Sequence, residues 1–286
     1  MVFLKYLLHS PASQSIKSMI NYHSICREVS NLTRLTGKYI SEQSGLISQS
    51  LIDHKGEHNY VTYVDKTAEK MLVEGLRNIL PESGFITEEG TASNKGIEYN
   101  WIVDPLDGTT NFIHSVPVFC ISIALVRNDE TIVGVVYEIN RDECFYAWKG
   151  GMAQLNGNQI RVSASDDFNA SLLATGFPYY DYGLLDDYML VFRHFMKHTA
   201  GLRRLGSAAA DLAYVACGRF EGFYEYGLHA WDVAAGAFIV QMAGGVVTDF
   251  SGNADFIFGK ELVAGNSAAH PEMLKVIRKY FRNKPS

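Results

Sequence analysis

Residues 101–112, Trp-Ile-Val-Asp-Pro-Leu-Asp-Gly-Thr-Thr-Asn-Phe, constrain this chain more than any other stretch. The uncharged apolar run at its start reads as a buried strand, and that strand ends in two aspartates, Asp104 and Asp107. Pro105 is expected to turn the backbone there, so that Asp107 returns on the side of Asp104. The two carboxylates and the Leu106 carbonyl then converge on one point. Such a donor set suits a hard cation like Mg²⁺, which takes a few carboxylate oxygens together with water and phosphate oxygens. Gly108 lets a ligand approach the backbone closely, and the consecutive N–H groups of Gly108, Thr109 and Thr110 can form a nest for an anion. The competing reading is an Asp-rich surface turn, because Asp-Pro and Asp-Gly are ordinary turn chemistry. The apolar strand before the acids and the hydroxyl pair after them favour a site.

Two further stretches repeat parts of this device. Gly84–Thr87 is a short apolar strand followed by Glu88, Glu89 and Gly90, and strand alternation should let only one of the two glutamates meet Asp104. Trp231-Asp232 opens a long apolar helix that Gly244 closes, and a carboxylate at a helix start is by itself often just a cap.

The net charge of −6 repels nucleic acid and anionic membranes, so an anionic substrate would need local positive charge, which bound metal ions supply compactly. The four cysteines, Cys26, Cys120, Cys144 and Cys217, have no CxxC spacing and read as buried hydrophobes in a reducing cytoplasm. No apolar run approaches the roughly 20 residues that cross a bilayer.

Periodicity predicts helices from Ile25 to Ile40 and from Asp65 to Ile79, the second stopped by Pro81. Strands follow at Trp101–Val103, Cys120–Arg127, Thr131–Tyr137 and Cys144–Trp148, with at least one antiparallel hairpin. Beyond Val162 strands and helices alternate: strands at Leu172–Thr175, Gly222–Glu225 and Val246–Asp249, helices at Asp187–His198, Ala208–Ala216 and Trp231–Ala243. The expected organisation is a disordered extension (1–18), an α+β half (19–164) carrying most metal ligands, and an α/β half (165–286) that completes a site in the cleft between them.

Taken together, TEEG, WIVDPLDGTTNF and HAWDVAAG, in this order, resemble the motifs of the inositol monophosphatases. The likeness runs from about Ile25 to the C-terminus and includes YVTYVDKTAEK, GGMAQLNG, LLATGFP, RRLGSAAADLAYVACGRFEGFYEYGLHAWD and VAGN. It implies a mixed α/β chain in a layered αβαβα sandwich of the inositol monophosphatase/fructose-1,6-bisphosphatase type. It also implies a lithium-sensitive, cytoplasmic, homodimeric phosphatase that uses Mg²⁺ to hydrolyse a small polyol or sugar phosphate, myo-inositol 1-phosphate first among them. By the same resemblance Glu88, Asp104 and the Leu106 carbonyl hold one Mg²⁺, Asp104, Asp107 and Asp232 hold a second, and a third, weaker ion can sit near Glu88. Thr109, supported by Glu88 and Asp65, orients and deprotonates the attacking water. Asp107, Gly108, Thr109, Thr110 and Asp232 also face the substrate, while Glu225 and the backbone of Ala208 contact polyol hydroxyls. Asp65 doubles as a candidate N-cap, Glu225 as a strand-end carboxylate, and Lys55 as a basic loop residue or an ordinary surface lysine. Thr110-Asn111-Phe112 stands where relatives that cleave 3′-phosphoadenosine phosphate more often have Lys-Glu-Phe, which favours the inositol branch. Fructose 1,6-bisphosphate, 2′-nucleotide and histidinol phosphate remain alternative substrates. Some bacterial relatives bind the transcription machinery, and Arg203, Arg204 and Arg219 offer either a basic contact for that purpose or structural ion pairs.

Other signals carry less. His194 and His198 share a helix face at ligand spacing but lack the HExxH glutamate, and His54 and His58 lie in a polar stretch with nothing to fix their geometry. GGMAQLNG has neither a P-loop lysine nor a GxGxxG pattern and reads as a strand edge and turn, and no GxSxG nucleophile elbow occurs.

Overall fold

A computed structural model describes residues 20–46, 52–56, 59–178 and 182–281. The expected extension at 1–18 lies outside them, and so does the side chain of Lys55. In chain order the elements are α1 (Tyr22–Gln43), β1 (Ile52–Gly56), β2 (Asn59–Thr62), α2 (Tyr63–Ile79), β3 (Gly84–Thr87), β4 (Tyr99–Asp107) and α3 (Thr109–Ile113). They continue as β5 (Cys120–Arg127), β6 (Glu130–Glu138), β7 (Glu143–Trp148), β8 (Gln154–Leu155), β9 (Asn158–Gln159), β10 (Leu172–Thr175), α4 (Leu185–His198) and β11 (Gly201–Arg203). The rest are α5 (Ala208–Ala216), β12 (Gly222–Tyr226), α6 (Ala230–Met242), β13 (Val246–Thr248), β14 (Glu261–Gly265) and α7 (Ala269–Tyr280).

Two sheets carry the fold. The first runs β3-β4-β5-β6-β7-β8-β9, parallel between β3 and β4 and antiparallel thereafter. The second runs β11-β10-β12-β14-β13, with β10 parallel to both its neighbours and β14 inserted antiparallel between β12 and β13. The central strands of the first sheet are apolar on both faces, which is why the sequence shows continuous rather than alternating apolar runs. Trp101, Val103, Ile121, Ile123, Val133 and Val135 pack with α1 and α2 on one side. Ile102, Cys120, Ala124, Val136 and Ala147 pack with α5 and α6 on the other.

Helices α5 and α6 are apolar nearly all round because both sheets cover them: their core also takes in Ala174, Phe223, Leu262 and Ala264 of the second sheet. Leu173, Tyr224, Tyr226 and Val263 face the opposite way, onto α4 and α7. The order of layers is therefore helix, sheet, helix, sheet, helix, and among the described residues no helix is long and apolar enough to cross a membrane.

Pro105 makes no turn. It lies inside β4, whose pairing with β5 shifts between Asp104, opposite Ser122, and Asp107, opposite Cys120. Three steps on β4 thus match two on β5. This one-residue bulge brings two acids that plain alternation would send to opposite faces onto the same one, and a bulge is where a strand tolerates a proline. Asp65 is not the cap of α2 either. Thr62 caps it and Asp65 is the third helical residue, its carboxylate accepting from the Thr62 N–H at 2.8 Å to complete a capping box.

The central layer depends on close approach of α6 to β6 at Gly134, where a Cβ would stand 2.8 Å from the Ala235 carbonyl oxygen and 3.2 Å from Phe238. Gly134→Ala is expected to lower unfolding free energy by roughly 1–3 kcal/mol through overpacking. Urea denaturation of the two proteins measures this, and an unchanged midpoint would refute the tight packing.

Candidate active site

A cleft of about 350 Å³ opens where β4, α3, α5, β12 and α6 meet, lined by Glu88, Asp104, Leu106, Asp107, Gly108, Thr109 and Thr110 from one side. Gly176, Arg204, Ser207, Ala208, Asp211, Glu225, His229, Trp231 and Asp232 line the rest. Every residue that the sequence pointed to as ligand or substrate contact lines this cleft. Asp65 stands behind it and is reached through Thr109.

Local folding explains each placement. The bulge in β4 presents Asp104 and Asp107, and the Leu106 N–H donates back to Asp104 Oδ1 at 2.9 Å. Gly108, at φ 99°, enters α3 in the left-handed region, where a Cβ would stand 3.0 Å from the Val118 carbonyl oxygen. Ser207 caps α5, accepting from the Ala210 N–H, and its hydroxyl donates to Asp107 Oδ2 at 2.7 Å; the Ala209 N–H donates to the same oxygen at 2.7 Å. Asp232 is the third residue of α6 and accepts from the His229 N–H at 2.7 Å. Glu88 follows β3, its N–H donating to the Val103 carbonyl beside Asp104. Glu89 does not line the cleft, in keeping with only one of the pair meeting Asp104.

Behind the cleft, the Thr109 hydroxyl lies 2.9 Å from Asp65 Oδ1 and 3.0 Å from the Leu106 carbonyl. The other oxygen of Asp65 takes the Thr62 N–H and hydroxyl, at 2.8 and 2.6 Å. Asp65 is thereby fixed on α2 and aimed at Thr109.

The electrostatics of the cleft are those of crowded anions. Burial pushes the Asp104 carboxyl well above the ordinary range, and the charges of Glu88, Asp107 and Asp232 push it further. Burial raises Asp232 likewise, with Asp107 adding to it and the His229 N–H opposing. Asp107 is pushed up to about 6 by burial, against the pull of Ser207, Ala209 and Arg204. Burial takes Glu225 to about 8 and moves Asp211 strongly in the same direction, with Arg204 opposing both. Arg204 is the one guanidinium or ammonium among the described residues that line the cleft.

Four carboxylates and a carbonyl, sharing one anionic field, fit a hard divalent cation, whose charge removes the repulsion that otherwise favours their protonated forms. Among the described residues, no three His, Cys, Asp or Glu side chains have closed around a single point as they stand. Asp104, Asp107 and Asp232 each have one oxygen turned to a local donor, which leaves the other for a cation.

Sequence reasoning missed Arg204, Ser207, Asp211 and Gly176 as cleft residues. Ser207 was legible as an N-cap before an Ala-rich helix, and Asp211 as the lone acid inside Ala-Ala-Ala-Asp-Leu-Ala. Arg219 faces elsewhere, in a two-armed pair with Glu143 at 2.6 Å on each arm. Arg203 is exposed and its guanidinium donates to the Leu202 carbonyl.

A sequence model of the inositol monophosphatase family matches residues 25–283. A Pseudomonas aeruginosa protein named Nus factor SuhB is 42% identical over 253 residues, covering 87% of this chain and 93% of the relative. An inositol-1-monophosphatase from Mesorhizobium japonicum is 38% identical over 244 residues, 85% of this chain and 92% of the relative. Among solved structures, the Thermotoga maritima IMPase superposes with a TM-score of 0.81 at 36% identity, over 88% of this chain and 96% of that one. The extragenic suppressor protein suhB of Bartonella henselae gives 0.86 at 36% identity, over 90% and 99%.

The raised Glu225 carboxyl gives a pH signature in protein stripped of divalent cations. A group with a folded-state pKa above its unfolded value favours folding at low pH and loses that contribution as pH rises through the folded value. Wild type is therefore expected to lose stability relative to Glu225→Gln as pH climbs from 4.5 through about 8. Chemical denaturation of both proteins across that range is the check, and a constant difference would mean that Glu225 is not strained by burial.

Proposed function

Because the chain belongs to the inositol monophosphatase family, we propose that it hydrolyses a small polyol phosphate monoester, myo-inositol 1-phosphate in the first place, in a Mg²⁺-dependent reaction. One observation carries this reading: Glu88, Asp104, Asp107 and Asp232, drawn from three separate segments, share a cleft with the Thr109–Asp65 pair and with Glu225. Glu88, Asp104, Leu106, Asp107 and Asp232 are the residues that would hold the cations. When bound, Mg²⁺ supplies the positive charge that draws in the phosphate, polarises the ester and activates a water for attack.

The protein groups divide the remaining work. Thr109 Oγ1 would orient the attacking water and pass its proton to Asp65, a role supported by its contacts with Asp65 and the Leu106 carbonyl. Burial raises the Asp65 carboxyl, which improves it as an acceptor. Gly108 and the first turn of α3 offer N–H groups to the phosphate. Glu225 and the Ala208 backbone stand where the polyol would lie, with Arg204 balancing the glutamate's charge. A broader sugar phosphatase, taking fructose 1,6-bisphosphate or nucleotides, uses the same machinery and differs only at that end of the cleft.

A second reading is favoured by the 42% identical relative that carries the name Nus factor SuhB: a role in binding the transcription machinery. The net charge of −6 points to protein rather than nucleic acid as the partner. Pull-down from lysate of the source organism with wild type and Asp104→Asn separates the two activities. Equal capture of transcription proteins by both is expected if this role exists, and capture of none by either removes it.

Phosphate release from inositol 1-phosphate should cease with EDTA and return on adding Mg²⁺. Thr109→Val should lower kcat by about 10²–10⁴, the scale of general acid–base assistance, with little change in KM. Steady-state kinetics over a panel of monoesters tests both statements, and a rate indifferent to EDTA or inositol phosphate ranking among the poorest substrates would overturn the proposal.

A further inference from the structure

Glu69 lies on α2 one turn beyond Asp65, so the two carboxylates project from the same helix face. It is completely buried. An acid in that position needs strong partners, and it has three. Its Oε2 accepts the Glu89 N–H at 2.7 Å, while its Oε1 accepts the Thr91 N–H at 2.8 Å and the Thr91 hydroxyl at 2.6 Å. The grip is possible because Gly90, at φ 70°, folds the loop so that the N–H groups on either side of it point to one carboxylate.

The residue just before this clamp is Glu88. Its N–H is held on the other side by the carbonyl of Val103, the last paired residue of the β3–β4 ladder and the neighbour of Asp104. Glu88 is thus pinned between β4 and α2, and its side chain enters the cleft from a backbone with no slack. Helix α2 does the same for Thr109 through Asp65. Helix α2 therefore ties the acid on the β3 side to the hydroxyl on the α3 side from behind, alongside β4, which links the same two groups through Val103 and Asp107.

We propose that Glu69 is a positioning residue for divalent-cation binding: by clamping residues 89–91 it fixes Glu88 relative to Asp104. The inference rests on the phosphatase reading above and adds to it a residue outside the cleft. Glu69→Gln replaces one accepting oxygen by a donor and so breaks one arm of the clamp at nearly constant volume. Thr91→Val removes the hydroxyl arm alone and spares the buried acid.

The test is titration calorimetry of Mg²⁺ into the substrate-free proteins, paired with amide hydrogen exchange of the segment 88–92 without metal. Glu69→Gln should bind Mg²⁺ about 10–100-fold more weakly, the usual cost of losing a partner that orients a ligand, and Thr91→Val should fall between it and wild type. Both variants should lose exchange protection in 88–92 while α6 keeps its own. KM for the substrate at saturating Mg²⁺ should stay within about twofold, because the polyol end is untouched. A lower melting temperature with unchanged Mg²⁺ affinity in both variants would make Glu69 a purely structural acid and overturn the assignment. Wild type that binds no Mg²⁺ at millimolar concentration would overturn the phosphatase reading, and this inference with it.

Discussion

Mutual repulsion among buried carboxylates is the interaction on which the rest of the structure turns. Removing an ion from water costs several kcal/mol even after relaxation, while fully burying a large apolar side chain contributes about 1.5–3 kcal/mol. Each acid in the cleft therefore needs two or three core residues to offset it, unless it is hydrogen-bonded or shares a cation. The chain meets this demand in two ways. It surrounds the site with strands that are apolar on both faces and helices that are apolar all round. It also turns an oxygen of each acid toward a donor fixed by secondary structure: the Leu106 N–H for Asp104, the Ala209 N–H for Asp107, the His229 N–H for Asp232.

Those donors are mostly helix beginnings, and this resolves an apparent choice between capping and function. Asp65 and Asp232 are both third residues of helices and both complete capping boxes, while Ser207 caps α5 and holds Asp107 at once. A helix start offers unpaired N–H groups and a partial positive charge, an environment that tolerates a carboxylate well. The same bond that ends a helix properly also aims the acid. A capping residue and a site residue are here one side chain seen from two directions.

Legibility in the sequence followed the same physics. Strands β5 and β10 and helix α5 could be read to the residue, because an unbroken apolar or Ala-rich run between polar breaks has one period and two clear ends. Asp104, Asp107, Glu88 and Asp232 stood out because an acid beside an apolar run recurs three times, although each taken alone also reads as a turn or a cap. The bulge at Pro105 was not, since its register is a property of β5 as much as of β4. Strand β14 was missed because it enters the sheet between β12 and β13, a neighbourhood that no local pattern encodes. Glu69 sat unremarked in Ala-Glu-Lys as an ordinary helix-surface residue. Its burial depends on a loop some 20 residues away, joined to it only by long-range hydrogen bonds.

The cleft's glycines show how little room there is around the acids. At Gly176 a Cβ would fall 1.9 Å from the Glu225 carboxyl carbon, and at Gly108 one would fall 3.0 Å from the Val118 carbonyl oxygen. The first glycine directly follows β10 and gives Glu225 its room. The second closes the β4 bulge onto α3. Adding a methyl group at either position would displace a functional group or its backbone support, whereas at Gly134 it would wedge helix from sheet. Tight packing thus has two meanings in this molecule: in the central layer it supplies stability, and around the cleft it holds like charges close together at a cost in stability.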